Sequence, residues 1–179
     1  KHSNIVARAQ AACFSEKANE ILRAAHGSLD DDCADAIEFL EMAVLNYKQA
    51  LESNPNNKET LIGCAEARSA LHKLQVSKGR SISNQTLDGS SPEVAMTAKY
   101  FLRAIECDPT DPQPLFLYAK FLMSCGRHTS AEDYFLRVLE IDPRHIQCLH
   151  AYSCFLLDVR GLEEVAHRFF YKLKMTEKY

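Results

Sequence analysis

Four residues with metal-ligand chemistry, His145, Cys148, His150 and Cys154, fall within ten positions of one another. Imidazole and thiolate are the groups that hold zinc. At about 100° per residue along a helix, His145 and Cys148 share one face while His150 and Cys154 share another. The four cannot enclose one ion without breaking the helix. The plain account is a partly exposed helix that contains them, and neither a metal nor a cofactor is expected. Acid–base chemistry fares no better. The carboxylate pairs Glu132-Asp133 and Glu163-Glu164 are sequence neighbours that point apart on a helix, and they read as solvated faces. The chain also has no glycine-rich phosphate loop, no G-x-S-x-G and no H-E-x-x-H. The residues therefore predict no catalytic centre.

Aromatic side chains offer a second kind of chemistry, the stacking of bases. Tyr100-Phe101, Tyr134-Phe135 and Phe169-Phe170 form three pairs, but no basic stripe runs between them and their helical register puts half of them in a packing seam. Core packing is the better reading. Bulk charge agrees, since 21 Lys and Arg against 24 Asp and Glu give a net charge of −3, which argues against a nucleic-acid binder.

The elements that carry these residues must be helices. Glycine and proline number six each in 179 residues, and strand-like alternation between tight turns is absent. Hydrophobic residues at 46% and charged residues at 25% suit a soluble globular chain able to bury a core. No apolar run approaches the roughly 18 residues of a membrane span, so no membrane partner is expected. The start, KHSNIVARAQ, has neither an apolar signal core nor an initiator Met, which reads as a piece of a larger intracellular protein. The seven cysteines are odd in number and contain no close pair, so the reading is free thiols in a reducing cytoplasm. The sequon Asn84-Gln85-Thr86 then has no use.

Self-comparison along the chain is the most informative test. YFLRAIECDP from Tyr100 and YFLRVLEIDP from Tyr134 agree at seven of ten positions and lie 34 residues apart. The same offset pairs Leu115 with Leu149, Tyr118 with Tyr152 and Phe121 with Phe155. Each unit reads as two helices. Leu115, Tyr118 and Leu122 follow helical spacing until Gly126; then Ala131, Phe135, Val138 and Leu139 make one apolar stripe that Asp142-Pro143 stops. Thr129 and Glu132 fit a T-x-x-E capping box for the second helix. One hairpin cannot cover its apolar faces, whereas stacked hairpins can, so the predicted fold class is all-α, a solenoid of stacked helical hairpins with about eight helices.

At Leu115, Tyr118-Ala119, Gly126, Ala131, Phe135 and Pro143 the chain resembles the tetratricopeptide repeat family, whose 34-residue unit carries that pattern. Ala43, Tyr47, Ala50 and Pro55 fit the second half of an earlier unit. Leu149, Tyr152, Ala166 and Phe170 fit a later one if Gly161 carries an extra residue in its turn. The resemblance implies a right-handed solenoid, read here as a single domain over 1–179. An irregular N-terminal hairpin spans 1–57, with a helix from Ile5 to Ala25 and a second from about Cys33. A repeat with an insertion of about twenty residues around 77–92 spans 58–109, a regular repeat 110–143, and a final repeat with a C-terminal helix 144–179. The insertion is expected to be mobile at its centre.

The family's first helices line a peptide groove, and the resemblance carries that surface onto Glu59, Ile62, Gly63 and Glu66, then Gln113, Phe116, Leu117 and Lys120, then Gln147, His150, Ala151 and Cys154. It implies a protein or peptide partner and no enzyme activity. Members that clamp chaperone C-terminal tails place Lys, Asn and Arg on these positions; among them this chain offers only Lys120, which argues against that partner. The alternative is a spacer or self-association element that stacks end to end or packs against other domains. Ser83, three residues after Arg80, and Ser91, before Pro92, match phosphoacceptor patterns; Ser91 also suits a helix N-cap.

Overall fold

The structure, a computed structural model, describes residues 33–77 and 91–176 together with Ala9, Cys13, Glu16, Glu20 and Arg23. Those five are helical and exposed, within the expected N-terminal helix. The rest of that helix, the centre of the insertion and Ser83 lie outside the described residues. The chain divides into two compact units, Lys1–Asp108 and Pro109–Tyr179. Among the described residues there are seven helices and no strand.

The first unit contains α1 (Cys33–Ser53), α2 (Lys58–Ser77) and α3 (Pro92–Cys107), with α2 packed on both others. Its core joins Leu40, Val44, Tyr47 and Leu51 of α1 to Leu61, Cys64 and Ala67 of α2 and Ala104 of α3. Asn57 starts α2, its Oδ1 accepting from the Thr60 backbone N–H at 2.8 Å and from the Thr60 hydroxyl at 2.7 Å. The turn before α2 is tied to the end of α3: the Arg103 guanidinium donates to Pro55 O, and Lys58 Nζ to Asp108 Oδ2 at 3.1 Å. Ser91 caps α3 with Pro92 at its first position, as its sequence suggests; its Oγ accepts from Val94 N–H at 3.3 Å.

Part of the insertion is helix. The first helices of the second unit have 13 residues, whereas α2 has 20, which adds about two turns. Ala70, Leu71 and Leu74 in this extension pack against the core of the first unit, where the 21-residue α1 gives them a surface.

The second unit contains α4 (Pro112–Ser124), α5 (His128–Ile141), α6 (Ile146–Asp158) and α7 (Glu163–Thr176). They pair as α4 with α5 and α6 with α7, and α5 joins the pairs through α6. Asp111 caps α4, accepting from Gln113 N–H at 2.9 Å. Gly126, at φ 73°, ends it in a left-handed turn: Arg127 N–H donates to Leu122 O at 3.0 Å and Gly126 N–H to Met123 O at 3.1 Å. The turn at Gly161, φ 64°, separates its helices by one residue more than the turn at Gly126 does.

The capping box does not form. The Gly126 turn brings the chain back so quickly that α5 begins at His128, with Arg127 at the N-cap and no side-chain cap. Thr129 is already inside the helix, and Glu132 is used elsewhere. Its carboxylate accepts from Tyr152 OH at 3.2 Å and from Arg160 Nε at 3.1 Å, which locks α5 to α6 and to the turn that follows.

Candidate functional site

Helical periodicity sets which side of each first helix stays open. In α4 the residues Leu115, Tyr118, Ala119 and Leu122 are buried, and Gln113 and Lys120 are exposed with Leu117 half-buried beside them. One repeat later α6 buries Cys148, Leu149, Tyr152 and Leu156. It exposes Gln147 and His150, with Ala151 and Cys154 half-buried. The second unit thus presents two strips of the same pattern, each a polar rim around small or apolar residues.

Phe116 departs from the expectation that it lines a groove. It is 4% exposed, its ring 5.2 Å from that of His145 and 6.4 Å from that of Phe135. The resemblance places Phe116 on the open strip, but the aromatic ring reaches across to α5 and to the start of α6. What it gives the surface is indirect, since Lys120 Nζ rests 5.5 Å from its centroid. His150 is likewise held, edge-on to Phe170 at 6.5 Å.

In the first unit Glu59 is exposed, and Ile62 and Glu66 are half-buried. Gly63 is buried, because Tyr47 lies against it. Ser91 is 5% exposed, so a phosphate on it would have to enter a buried cap.

His145 and Cys148 serve the helix and its packing. His145 is the N-cap, its Nδ1 accepting from Cys148 N–H at 3.1 Å. The Cys148 thiol is buried, donates to Phe135 O at 3.6 Å and is pushed up to about 12 by burial, with Asp142 adding to the effect. Burial first and then Glu132 raise Tyr152 to about 12 as well. Among the described residues no three His, Cys, Asp or Glu side chains converge as metal ligands, and no helix is long and apolar enough to cross a membrane.

The aromatic pairs divide as their register implies. Phe101 and Phe135 are buried, while Tyr134 and Phe169 stand edge-on to Tyr118 and Tyr152 at 4.7 and 5.0 Å. Sequence reasoning misses the Glu132–Tyr152–Arg160 lock, although the recurrence of Tyr118 as Tyr152 was its one visible sign.

Residues 100–133 match the family model of the tetratricopeptide repeat. No curated protein matches the chain in sequence. In fold it is similar to MamA (MSR-1), with a TM-score of 0.58 and 12% identity over 99% of this chain and 98% of that one. It is also similar to the first TPR of Spaghetti (RPAP3) bound to the HSP90 peptide SRMEEVD, with a TM-score of 0.53 and 12% identity over 82% and 95%. A tetratricopeptide repeat protein from Parabacteroides merdae gives 0.52 and 16% identity over 92% of this chain and 55% of that one. At these identities the likeness is one of fold.

Proposed function

We propose that the chain, whose residues 100–133 match the tetratricopeptide repeat model and whose fold is similar to that of repeat proteins, is a non-catalytic protein-interaction module that takes a peptide or a partner's surface along its first helices. One observation carries the reading: α4 and α6 keep the same strip open, with Gln113, Lys120, Gln147 and His150 exposed around Leu117, Ala151 and Cys154. Amide and cationic tips around a small-residue floor suit a peptide backbone and its side chains better than a reacting centre. The HSP90 peptide SRMEEVD held by the Spaghetti repeat is acidic towards its end. Here the strip of the second unit offers Lys120 amid neutral amides, and the first unit offers Glu59 and Glu66. An acidic chaperone tail is therefore not the expected partner.

The test is capture of partners from native lysate by the chain and by Lys120→Glu/His150→Glu, with titration of SRMEEVD in parallel. Loss of the captured species in a double variant that melts like the parent supports the reading. Equal capture by both counts against it, and tight binding of SRMEEVD would reverse the choice of partner.

The last helix favours a second reading, self-association. Val165, Met175 and Tyr171 of α7, the last 63% exposed, leave apolar surface open at the final hairpin. Light scattering over a concentration series separates the two readings, since a monomer at every concentration excludes self-association.

A further inference from the structure

Two helices expose apolar residues on the side turned away from their own core. On α1 the buried Ala36, Leu40, Ala43, Tyr47 and Ala50 define the inner face, and Met42 and Leu45 stand opposite, Leu45 at 62% exposure. On α7 the buried Ala166 and the half-buried Phe169 and Leu173 define the inner face, and Tyr171 and Met175 stand opposite.

The charges around these two pairs differ in sign. Three exposed carboxylates, Glu38, Glu41 and Glu52, surround Met42 and Leu45 against one cation, Lys48. Two exposed cations, Arg168 and Lys172, surround Tyr171 and Met175 against one carboxylate, Glu164. The order along each helix matters as much as the sum. Glu41 and Lys48 are seven residues, about 10 Å, apart, and Glu164 and Lys172 are eight residues, about 12 Å, apart. Laid antiparallel in one register, α1 sets Glu41 against Lys172 and Lys48 against Glu164. Between those pairs Met42 meets Tyr171, and Leu45 lies along the methylenes of Arg168. The antiparallel arrangement also brings opposite dipole ends together.

Other pairings fit less well. Two copies of the α1 face repel through their carboxylates, and two copies of the α7 face set Arg168 against Arg168 at the centre. The outer face of α3 exposes Met96 and Leu102, but Lys99 and Glu106 cancel there and Arg103 is tied to Pro55 O. The outer face of α5 exposes Leu136 among Asp133, Arg137 and Glu140, with the same net sign as α1.

We propose, resting on the self-association reading above, that the outer face of α7 in one copy docks antiparallel on the outer face of α1 in a second copy. Met42, Leu45 and Tyr171 form the centre of the contact, and the Glu41–Lys172 and Lys48–Glu164 pairs close its ends. Because the two faces are unlike, each copy keeps one of them open after the first contact until the assembly closes on itself. A single pair of helices lies at the small end of specific interfaces, so the association is weak and shows at high protein concentration.

Sedimentation velocity of the full chain from about 5 to about 500 µM, in about 30 mM salt, tests the docking. Glu41→Lys and Lys172→Glu should each weaken association about tenfold, because each turns an attraction into a repulsion. Their equimolar mixture, and the chain that carries both changes, should return to within about threefold of the parent, since the reversed charges then meet one another. Lys48→Glu with Glu164→Lys repeats the test at the other end of the contact. All four positions are exposed, so thermal melts of the variants should match the parent. A parent that associates without that loss in the variants, or with loss but no recovery, overturns the docking and leaves self-association through another surface. A parent that stays monomeric throughout overturns both.

Discussion

Tyr47 of α1 lies so close to Gly63 of α2 that a Cβ added at position 63 would stand 2.4 Å from the ring carbon Cζ. The ring packs against the α2 backbone at a distance that glycine alone permits, and the fully buried tyrosine cannot swing aside. Gly63→Ala should therefore destabilise the first unit by about 1 to 3 kcal/mol through overpacking. In the background of Tyr47→Leu the same change should cost much less. Urea melts of the four members of this cycle check the coupling, and additive effects would mean that the ring does not lie where described.

Phe135 is the hub of the second unit, its ring 5.7 Å from Tyr152 and 6.1 Å from Phe155 and its backbone oxygen bonded by Cys148. Phe135→Ala is expected to cost about 3 to 5 kcal/mol. Ala131→Leu, which fills the same seam, should cost about 1 to 3 kcal/mol. The repeat-equivalent Phe170→Ala should cost less, since Phe170 is only half-buried. Denaturant midpoints in the order Phe170→Ala above Phe135→Ala verify this.

Two caps come from unlike residues, His145 on α6 and Ser91 on α3. Removing either by alanine substitution should cost about 1 kcal/mol, because an N–H of the first turn loses its acceptor. Thr129→Ala, by contrast, should leave stability unchanged within about 0.5 kcal/mol, since Thr129 is exposed and caps nothing. Thermal melts at neutral pH distinguish the three.

The cysteines should react in two classes. Cys64 and Cys148 are fully buried, and burial pushes their thiols up to about 11 and about 12. At neutral pH almost none is thiolate, so an alkylating reagent should leave both unmodified in the folded chain. Cys13 and Cys107 are exposed and should be labelled. Peptide mapping after brief alkylation, with and without urea, gives the answer directly.

The sequence by itself determined what depends on neighbours along the chain. The helix start at Ser91-Pro92, the stops at Gly126 and before Pro143, and the 34-residue period all follow from the local cost of φ, from capping and from a single apolar face per helix. The strips of α4 and α6 came from the resemblance to the repeat family, which carries its groove onto Gln113, Lys120, Gln147 and His150, four residues that are exposed in the structure. Tertiary structure decided what depends on residues far apart in sequence. Glu132 abandons a plausible capping box because Tyr152 and Arg160, 20 and 28 residues on, offer it better donors. Phe116 leaves the open strip because Phe135 and His145 stand within reach of its ring. Gly63, read as part of a groove, is covered by the ring of Tyr47, sixteen residues earlier in the chain. Periodicity names the face of a helix, and which neighbour covers that face is fixed only when side chains from distant segments compete for the same space.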